Sequence, residues 1–288
     1  MEPPLTWLYV PGDRPDRFEK ALASGADAVI VDLEDAVAPS HKDAARASAA
    51  EWLGRPRATG EAPIEVRING LDTPWAAADL AAAATGAALP RLAGIRLPKA
   101  ERPEDVARVG DALPPGQGIG VHLLIESARG LEAIADLARA HPAVASLALG
   151  EADLRSELGV TDDSGLAWAR GRIVVAAAAA GLPPPAMSVY TNVADEAGLA
   201  ASCRTGRALG FLGRAAIHPR QLPVIEAAFL PDDDEIAAAR ATLDALAEAA
   251  AAGSGTAVLP NGRFVDRAMA QHAERTLALA LRARGRVL

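Results

Sequence analysis

Two carboxylates that follow neighbouring apolar segments are the residues of this sequence best placed to do chemistry. Glu126 comes directly after the apolar run Gly120–Ile125, and Asp153 comes shortly after the run Ser146–Leu149. If these runs are adjacent strands of a parallel barrel, the two carboxylates open onto the same rim. Mg²⁺ is usually held by one or two carboxylates while water and substrate fill its other positions. For either acid alone, a helix N-cap or a solvated loop position is an equally reasonable interpretation, because short polar residues are common at strand-to-helix turns.

Eight short apolar runs alternate with longer helical stretches and must position these carboxylates. We predict strands at Leu5–Val10, Ala28–Leu33, Ile64–Ile68, Gly94–Leu97, Gly120–Ile125, Ser146–Leu149, Ala186–Tyr190 and Ala215–Ile217. We predict helices at Pro15–Ser24, Lys42–Leu53, Trp75–Ala84, Pro103–Ala112, Gly130–Ala140, Gly165–Ala180, Asp195–Leu209 and Gln221–Ala228. Continuous hydrophobicity is typical of parallel strands that helices cover. Eight strand–helix units in this length favour an α/β fold of the (β/α)₈ TIM barrel type.

A doubly wound open sheet is the main alternative fold. Its dinucleotide-binding form carries a G-x-G-x-x-G turn after the first strand. The glycine clusters of this chain, Gly116–Gly120 and Gly210–Gly213, do not form that turn. The barrel is therefore the favoured prediction.

The pattern changes after Leu230, and this change predicts a domain boundary. We assign residues 1–230 to a catalytic barrel and residues 231–288 to a C-terminal extension. The extension is predicted to contain a helix at Glu235–Ala252, a hairpin turn at Asn261-Gly262 and a final amphipathic helix at Met269–Arg282. It is too small to bury much core alone. We therefore expect it to pack on the barrel, on a neighbouring subunit or across the mouth of the active site.

Composition and charge exclude several classes of protein. The chain of 288 residues has a formal net charge of -8 and no Lys/Arg run, so a nucleic-acid partner is not expected. No stretch offers the roughly 20 apolar residues that span a bilayer, and the first residues do not resemble a secretory signal. These features predict a cytoplasmic protein with no membrane partner. The one cysteine, Cys203, excludes an internal disulfide, and the five histidines lack the spacing of a zinc site.

Charged residues accumulate where the predicted strands end. In (β/α)₈ barrels the catalytic groups gather at the carboxyl ends of the strands. The polar residues at these ends are Asp13, Arg14, Asp32, Glu34, Asp35, Arg67, Asn69, Lys99, Glu126, Glu151, Asp153, His218 and Arg220. A stable fold does not require so many acidic and basic residues at one edge of the barrel, so we expect some of them to have a function.

Seven motifs in this order resemble the citrate lyase β-subunit-like proteins of the HpcH/HpaI aldolase and acyl-CoA lyase superfamily. The motifs are Tyr9–Phe18, Val31–Val37, Val66–Asn69, Leu97–Lys99, Leu124–Gly130, Gly150–Leu154 and Ile217–Gln221. The resemblance runs from about Leu5 to the C-terminus. It implies Mg²⁺-dependent cleavage or formation of a carbon–carbon bond in a 3-hydroxyacyl-CoA thioester such as malyl-, citramalyl- or citryl-CoA.

The resemblance also implies roles for individual residues. Glu126 and Asp153 match the Mg²⁺ ligands, and Glu126 and Arg67 face the substrate, with Arg67 opposite the thioester oxygen. Glu34 is placed to hydrogen-bond a water on the metal, since outer acceptors orient metal ligands. Arg14 matches a position near the CoA phosphates, which a guanidinium suits.

Structural interpretations of the same residues stay open. Arg67 could form only a rim salt bridge, and Arg14 could pair with Asp13 or Asp16. Asp32 and Asp35 fit a role in the turn better than one in catalysis. Lys99 is a rim cation or a partner for an acid, and we expect His218 to be a hydrogen-bonded core histidine.

Asp266 has two interpretations. Its place before the last helix suits an N-cap. The resemblance implies instead an acid/base at the acetyl carbon, delivered to a neighbouring subunit of a homo-oligomer, and it implies that this oligomer is a trimer. The family usually has Asp-x-Pro here, whereas this chain has Asp266-Arg-Ala; it also has Glu157 where the family often has Asp.

This set of residues suggests retro-Claisen chemistry. In that reaction the alkoxide of a hydroxyacid collapses and an acyl-CoA enolate leaves. Arg67 would stabilise the enolate charge, and Asp266 would protonate its carbon. Two alternatives use the same parts: a metal-dependent aldolase acting on free pyruvate-type acids, and a citrate lyase β subunit that works only in a larger complex.

Overall fold

The computed structural model describes residues 4–85 and 89–285. Of these, the residues up to Glu226 form one compact unit, and those from Ala227 form a second. Among the helices of the described residues, none combines the length and the apolar character of a membrane span.

The first unit is an α/β fold around a sheet of seven parallel strands. The strands are β1 (Thr6–Pro11), β2 (Ala28–Asp32), β3 (Ile64–Arg67), β4 (Leu92–Leu97), β5 (Gly120–Ile125), β6 (Val144–Leu149) and β7 (Arg214–Ala216). Their order is β6-β5-β4-β3-β2-β1-β7, so β1 to β6 lie side by side in chain order. A doubly wound sheet reverses its order at the middle, and this one does not.

The seventh predicted strand, Ala186–Tyr190, is not a regular strand, and the prediction was wrong there. Ala186 makes a single parallel bridge to Ala148 of β6, and Met187 makes one to Arg214 of β7. Three prolines, Pro183–Pro185, come directly before it and have no N–H to donate. The Met187 N–H donates to the Gly213 carbonyl at 2.9 Å, so pairing is confined to the residues just after the prolines.

Helices follow the strands. They are α1 (Phe18–Leu22), α2 (Lys42–Leu53), α3 (Ala76–Ala84), α4 (Pro103–Ala112), α5 (Ala128–Leu137), α6 (Glu151–Leu158), α7 (Ala167–Ala179), α8 (Glu196–Ala208) and α9 (Gln221–Phe229). Helix α5 shows how the sequence specifies them: the Ser127 hydroxyl accepts from the Gly130 N–H at 3.1 Å, and Leu131, Ile134 and Leu137 face the core. This spacing places one apolar stripe on the sheet.

Strand residues are buried on both faces, as expected when helices cover a parallel sheet. All five residues of β2 are buried. One buried cluster contains Trp7, Ala28, Ile30, Ala186 and Ala215, and Tyr9 packs against it. The register brings Pro11, Asp32, Arg67 and Arg96 level across β1 to β4. Polar groups of several strands therefore meet at one level of the sheet.

The second unit contains α10 (Asp233–Ala251), a short antiparallel pair β8 (Ala257–Val258) and β9 (Phe264–Val265), and α11 (Arg267–Gly285). A capping box between Asp232 and Glu235 starts α10. Gly262 has φ +81°, the left-handed conformation that a tight hairpin turn requires.

Candidate functional site

A cavity of about 910 Å³ in the first unit brings most of the predicted site residues together. Arg14, Arg67, Glu126 and Asp153 all lie in its wall. Further charged residues of the wall are Asp16, Arg17, Lys20, Asp32, Asp35, Arg96 and His218. Carboxylates and guanidinium groups therefore face one another across a space large enough for a small-molecule ligand.

Backbone geometry on both sides fixes the Glu126 carboxylate. Glu126 directly follows β5 and is 4% exposed. Its Oε1 accepts a hydrogen bond from the Lys99 N–H at 2.8 Å. Lys99 has φ +49°, the one positive φ outside glycine in the described residues. Such strain persists where the surroundings require it, and here it aims an N–H at the candidate metal ligand.

Asp153 lies in a helix that the sequence did not predict. Helix α6 starts at Glu151, so Asp153 sits exposed in its first turn rather than at a bare strand end. A carboxylate is favourable there because the helix dipole is positive at that end. Arg170 of α7 holds this turn, donating to both carboxylate oxygens of Glu151 at 2.8 and 2.7 Å. Arg170 thereby positions the backbone that carries Asp153.

Glu34 adds a third carboxylate, buried close to Glu126. Burial, with the charge of Asp35 adding to it and that of Arg67 opposing it, raises the pKa of Glu34 to about 7. Burial, followed by the charge of Glu34, raises the pKa of Glu126 to about 8, although the Lys99 N–H acts in the opposite direction. The Lys99 ammonium is 3.8 Å from Glu34 Oε1. Two buried carboxylates with raised pKa values therefore lie close together, Glu126 in the wall of the cavity and Glu34 outside its lining.

The donor set fits Mg²⁺. Glu126 and Asp153 offer hard oxygen atoms, and the carboxylate of Glu34 lies close by, with its Oε2 paired with Arg67 Nη1 at 2.8 Å. A Cβ added to Gly150 would lie 2.4 Å from the Glu126 Cβ, so only glycine leaves room for this carboxylate. Within residues 4–85 and 89–285 no three His, Cys, Asp or Glu residues form a closed metal cage. An open site with few carboxylates is what Mg²⁺ takes when substrate and water complete its shell.

Arg67 is held rigidly at the cavity wall. Its Nε and Nη2 donate to the two carboxylate oxygens of Asp32 at 2.8 and 2.6 Å. Its Nη1 lies 2.8 Å from Glu34 and 3.1 Å from Asp35. Burial alone would lower the pKa of Arg67, but the hydrogen bonds and charge of Asp32 raise it above its ordinary value. Arg67 thus forms the rim salt bridge and faces the cavity at the same time.

Asp32 also stabilises the turn after β2. Its carboxylate accepts from the N–H groups of Glu34 at 2.9 Å and Ala36 at 3.2 Å. Asp32 therefore connects the conformation of this turn to the orientation of Arg67.

Arg14 pairs with Asp16, both of its hydrogen bonds being 2.9 Å long, and lines the cavity with its side chain half exposed. Arg17 and Lys20 line the same wall. These two were not among the predicted site residues, although cations at positions 14, 17 and 20 recur at the spacing of one helical face. They extend the basic wall of the cavity.

Three other residues refine the sequence interpretation. His218 is exposed, with Nδ1 accepting from the Arg220 N–H at 3.1 Å, so its prediction as a core histidine was wrong. His218 comes two residues after the short strand β7, where the helices no longer cover the chain.

Glu157 accepts a hydrogen bond at 2.9 Å from the N–H of Ala128, which comes two residues after Glu126. In the second unit, Asp266 accepts from the Ala268 N–H at 2.9 Å and so caps α11, and its acid/base role stays a prediction.

Residues 5–219 match the model of the HpcH/HpaI aldolase/citrate lyase family. Among characterised proteins, the chain is 37% identical over 276 residues to a (3S)-malyl-CoA thioesterase of Cereibacter sphaeroides, covering 95% of this chain and 93% of the relative. It is 34% identical to an L-malyl-CoA/beta-methylmalyl-CoA lyase of the same species, covering 93% and 91%.

Solved structures show the same similarity. CitE from Mycobacterium tuberculosis in complex with magnesium, acetoacetate and coenzyme A superposes with a TM-score of 0.80 at 33% identity, covering 96% of this chain and 97% of that one. The citrate lyase beta subunit of the same organism, complexed with oxaloacetate and magnesium, gives a TM-score of 0.67 at 33% identity, covering 79% and 97%.

Proposed function

Since the chain belongs to the HpcH/HpaI aldolase/citrate lyase family, we propose that it is a Mg²⁺-dependent carbon–carbon lyase acting on a 3-hydroxyacyl-CoA thioester. The observation that carries this proposal is the presence of Glu126, Asp153 and Arg67 in the wall of one cavity. The two relatives with malyl-CoA in their names and the CitE complex with magnesium and coenzyme A support it.

The proposed architecture is a (β/α)₈ barrel closed by the segment around Ala186. The two single bridges of Ala186 and Met187 support it, because they link β6 and β7, the two ends of the strand order. Catalytic groups at the carboxyl ends of the strands then share one mouth.

Glu126 and Asp153 are the proposed Mg²⁺ ligands, with Glu34 accepting a hydrogen bond from a water beside them. When bound, Mg²⁺ supplies Lewis acidity toward the hydroxyl and carboxylate of the substrate. Arg67 stabilises the negative charge that develops on the thioester oxygen. Its fixed orientation matters because a preorganised cation needs no rearrangement as charge develops.

The basic wall of Arg14, Arg17 and Lys20 is the proposed binding site of the CoA phosphates. Arg17 and Lys20 supplement Arg14, whose charge Asp16 partly offsets. Several cations on one wall suit a ligand with several phosphate charges.

Residues 231–288 are proposed to form a C-terminal extension of a homotrimer in which Asp266 of one chain reaches the site of another. Its place at the N-terminus of α11 supports a fixed position, since the cap locks its side chain. In this role Asp266 protonates the enolate carbon.

Thioester hydrolysis is a second candidate, because the relative at 37% identity is a thioesterase. In hydrolysis, water adds to the thioester carbonyl and the C–S bond breaks, giving the free acid and CoA. In the lyase reaction the bond between the hydroxyl-bearing carbon and the carbon next to the thioester carbonyl breaks, giving an acyl-CoA and a 2-oxo acid. The products therefore distinguish the two.

Thermal-shift assays with Mg²⁺ separate CoA chemistry from an aldolase acting on free acids. We expect acetyl-CoA to raise the melting temperature more than pyruvate does. A shift with pyruvate and none with acetyl-CoA would favour the aldolase. Turnover of a CoA thioester by the purified chain alone would exclude a subunit that works only in a larger complex.

A further inference from the structure

Lys42 begins α2 with a buried ammonium group that the proposed chemistry does not use. The residue is 6% exposed and does not line the cavity. Its Nζ lies 5.4 Å from the centre of the Trp75 ring, and no carboxylate of the described residues lies within ion-pair distance of it. A cation is unfavourable at a helix N-terminus, where the dipole is positive. Neither the helix nor a salt bridge therefore accounts for a lysine at this position.

The Lys42 ammonium instead binds the backbone of the turn that follows β2. It donates to the carbonyl oxygens of Leu33 and Glu34, each at 2.7 Å. The Glu34 carbonyl also accepts from the Val37 N–H at 3.0 Å, so the Leu33 carbonyl depends more on Lys42. Burial lowers the pKa of Lys42, whereas the charges of Asp32 and Glu34 oppose this shift. A buried carbonyl that loses its donor costs free energy, and the ammonium therefore stabilises this conformation of the turn.

Asp32 fixes the other side of the same turn. Its carboxylate accepts from the N–H groups of Glu34 at 2.9 Å and Ala36 at 3.2 Å. Two N–H groups of residues 32–36 are therefore bound by Asp32, and two carbonyl groups are bound by Lys42 from α2.

The acidic partners of Arg67 all lie on this turn. Arg67 donates to both carboxylate oxygens of Asp32, and its Nη1 lies 2.8 Å from Glu34 Oε2 and 3.1 Å from Asp35 Oδ2. A shift of the turn would move the three carboxylates, and the guanidinium would move with them. Misplacing a catalytic group by about 1 Å can cost on the order of a hundredfold in rate.

We propose that Lys42 is a positioning residue for Arg67. Lys42 holds residues 32–36, and these residues hold the guanidinium where it meets the thioester oxygen. This inference rests on the proposed lyase function, and it adds a residue outside the cavity to the groups on which that function depends.

Hydrogen exchange tests the hold on the turn without any substrate. Lys42→Met removes the ammonium and keeps an unbranched side chain. We expect the N–H groups of Glu34 and Ala36 to exchange at least tenfold faster in this variant than in the wild type. Arg91→Met is the matched control, because Arg91 is a buried cation 5.5 Å from the centre of the Trp52 ring that does not line the cavity. Exchange of the two N–H groups should be unchanged there, and unchanged exchange in Lys42→Met would overturn the proposal.

Steady-state kinetics test whether the turn acts through Arg67. Lys42→Met should lower kcat for a hydroxyacyl-CoA thioester by tenfold or more and change KM by less than about threefold, because Arg67 acts on charge that develops in the transition state. In the Arg67→Lys background, Lys42→Met should lower kcat by less than about threefold further, since residues that act as a unit are not additive. Arg91→Met should keep kcat within about twofold of the wild type.

Two kinetic results overturn the proposal: an effect of Lys42→Met that is as large in the Arg67→Lys background as in the wild type, or an equal loss in Arg91→Met. If Lys42→Met does not fold, Lys42→Gln replaces it in both experiments with the same expected changes, because a shorter neutral side chain cannot hold both carbonyl groups as the ammonium does. A wild type that cleaves no hydroxyacyl-CoA thioester contradicts the proposed function itself. The exchange experiment then still decides whether Lys42 holds the turn, so the two failures are distinguishable.

Discussion

The Glu126 side chain lies directly against Gly150, the residue that follows β6. A Cβ on Gly150 would be 2.4 Å from the Glu126 Cβ and 2.6 Å from its Oε2. The backbone of one strand end therefore shapes the position of the carboxylate at the next. The proposed metal site therefore requires glycine at position 150 as well as the carboxylates around it.

Gly150→Ala should displace the Glu126 carboxylate. We expect Mg²⁺ affinity to fall by at least tenfold in calorimetry. The free energy of unfolding should decrease by about 1–3 kcal/mol, which overpacking typically costs. Gly171→Ala is the matched control, because nothing lies within 4 Å of a Cβ there. That change in the middle of α7 should stabilise the fold by about 0.5–1 kcal/mol. Unaltered Mg²⁺ affinity in Gly150→Ala would show that Glu126 is not a ligand.

Arg67→Lys should lower turnover by roughly tenfold, about 1.4 kcal/mol of transition-state stabilisation. Lysine keeps the charge, but a single ammonium cannot hold both oxygens of Asp32 and face the cavity as well. Steady-state kinetics measure the effect, with Arg55→Lys as the control, since Arg55 forms only exposed ion pairs. Unchanged kinetics in Arg67→Lys would leave only the salt-bridge role.

The regular elements could be predicted from sequence because their signals are local. The bounds of β5, α2 and α4 match the prediction to the residue. Helix α6 was missed because the acids of Gly150–Leu154 were interpreted as a strand end, although Glu151–Leu158 has no helix breaker. The segment at Ala186 has strand-like residues, but the prolines before it limit its pairing.

The site was predicted less completely because its geometry is tertiary. The motifs identified Glu126, Asp153 and Arg67. They did not indicate that Lys99 takes a positive φ or that Asp32 orients Arg67, since both depend on contacts between different strand ends. The raised pKa values of Glu34 and Glu126 arise first from burial, which a sequence does not show.

His122 should make the fold sensitive to acid. Burial lowers its pKa below the ordinary value of 6.5, with Glu65 opposing and Arg96 adding to the effect. The unfolded chain therefore takes up a proton first as the pH falls. The contribution of His122 to the free energy of unfolding is present above about pH 6.5 and is lost toward lower pH, by at most about 1.4 kcal/mol per pH unit. Urea unfolding at pH 7.5, 6.5 and 5.5 measures this loss.

His122→Gln can retain a hydrogen bond to Ser146, which lies 2.8 Å from Nδ1 in the wild type, but has no group that titrates. The variant should lose less stability than the wild type between pH 7.5 and 5.5. Identical pH dependence in the two proteins would contradict the shift of the His122 pKa.

Asp266→Asn should slow proton transfer without weakening Mg²⁺ binding. If the site is shared between chains, inactive Asp266→Asn and inactive Glu126→Gln should regain activity when they are mixed after reversible dissociation. Some mixed interfaces then combine an intact Asp266 with an intact Glu126. Mixed oligomers that form and stay inactive would show that Asp266 acts within its own chain or has no catalytic role.

The most direct measurement of the central claim identifies the products formed from hydroxyacyl-CoA thioesters. We predict acetyl- or propionyl-CoA together with an equal amount of a 2-oxo acid, formed only when Mg²⁺ is present. Glu126→Gln and Asp153→Asn should abolish this release while the circular dichroism spectrum stays that of the folded protein. Free CoA and an intact hydroxyacid would identify a thioesterase instead. Acyl-CoA release that persists in a chelator or in both variants would contradict the Mg²⁺-dependent lyase.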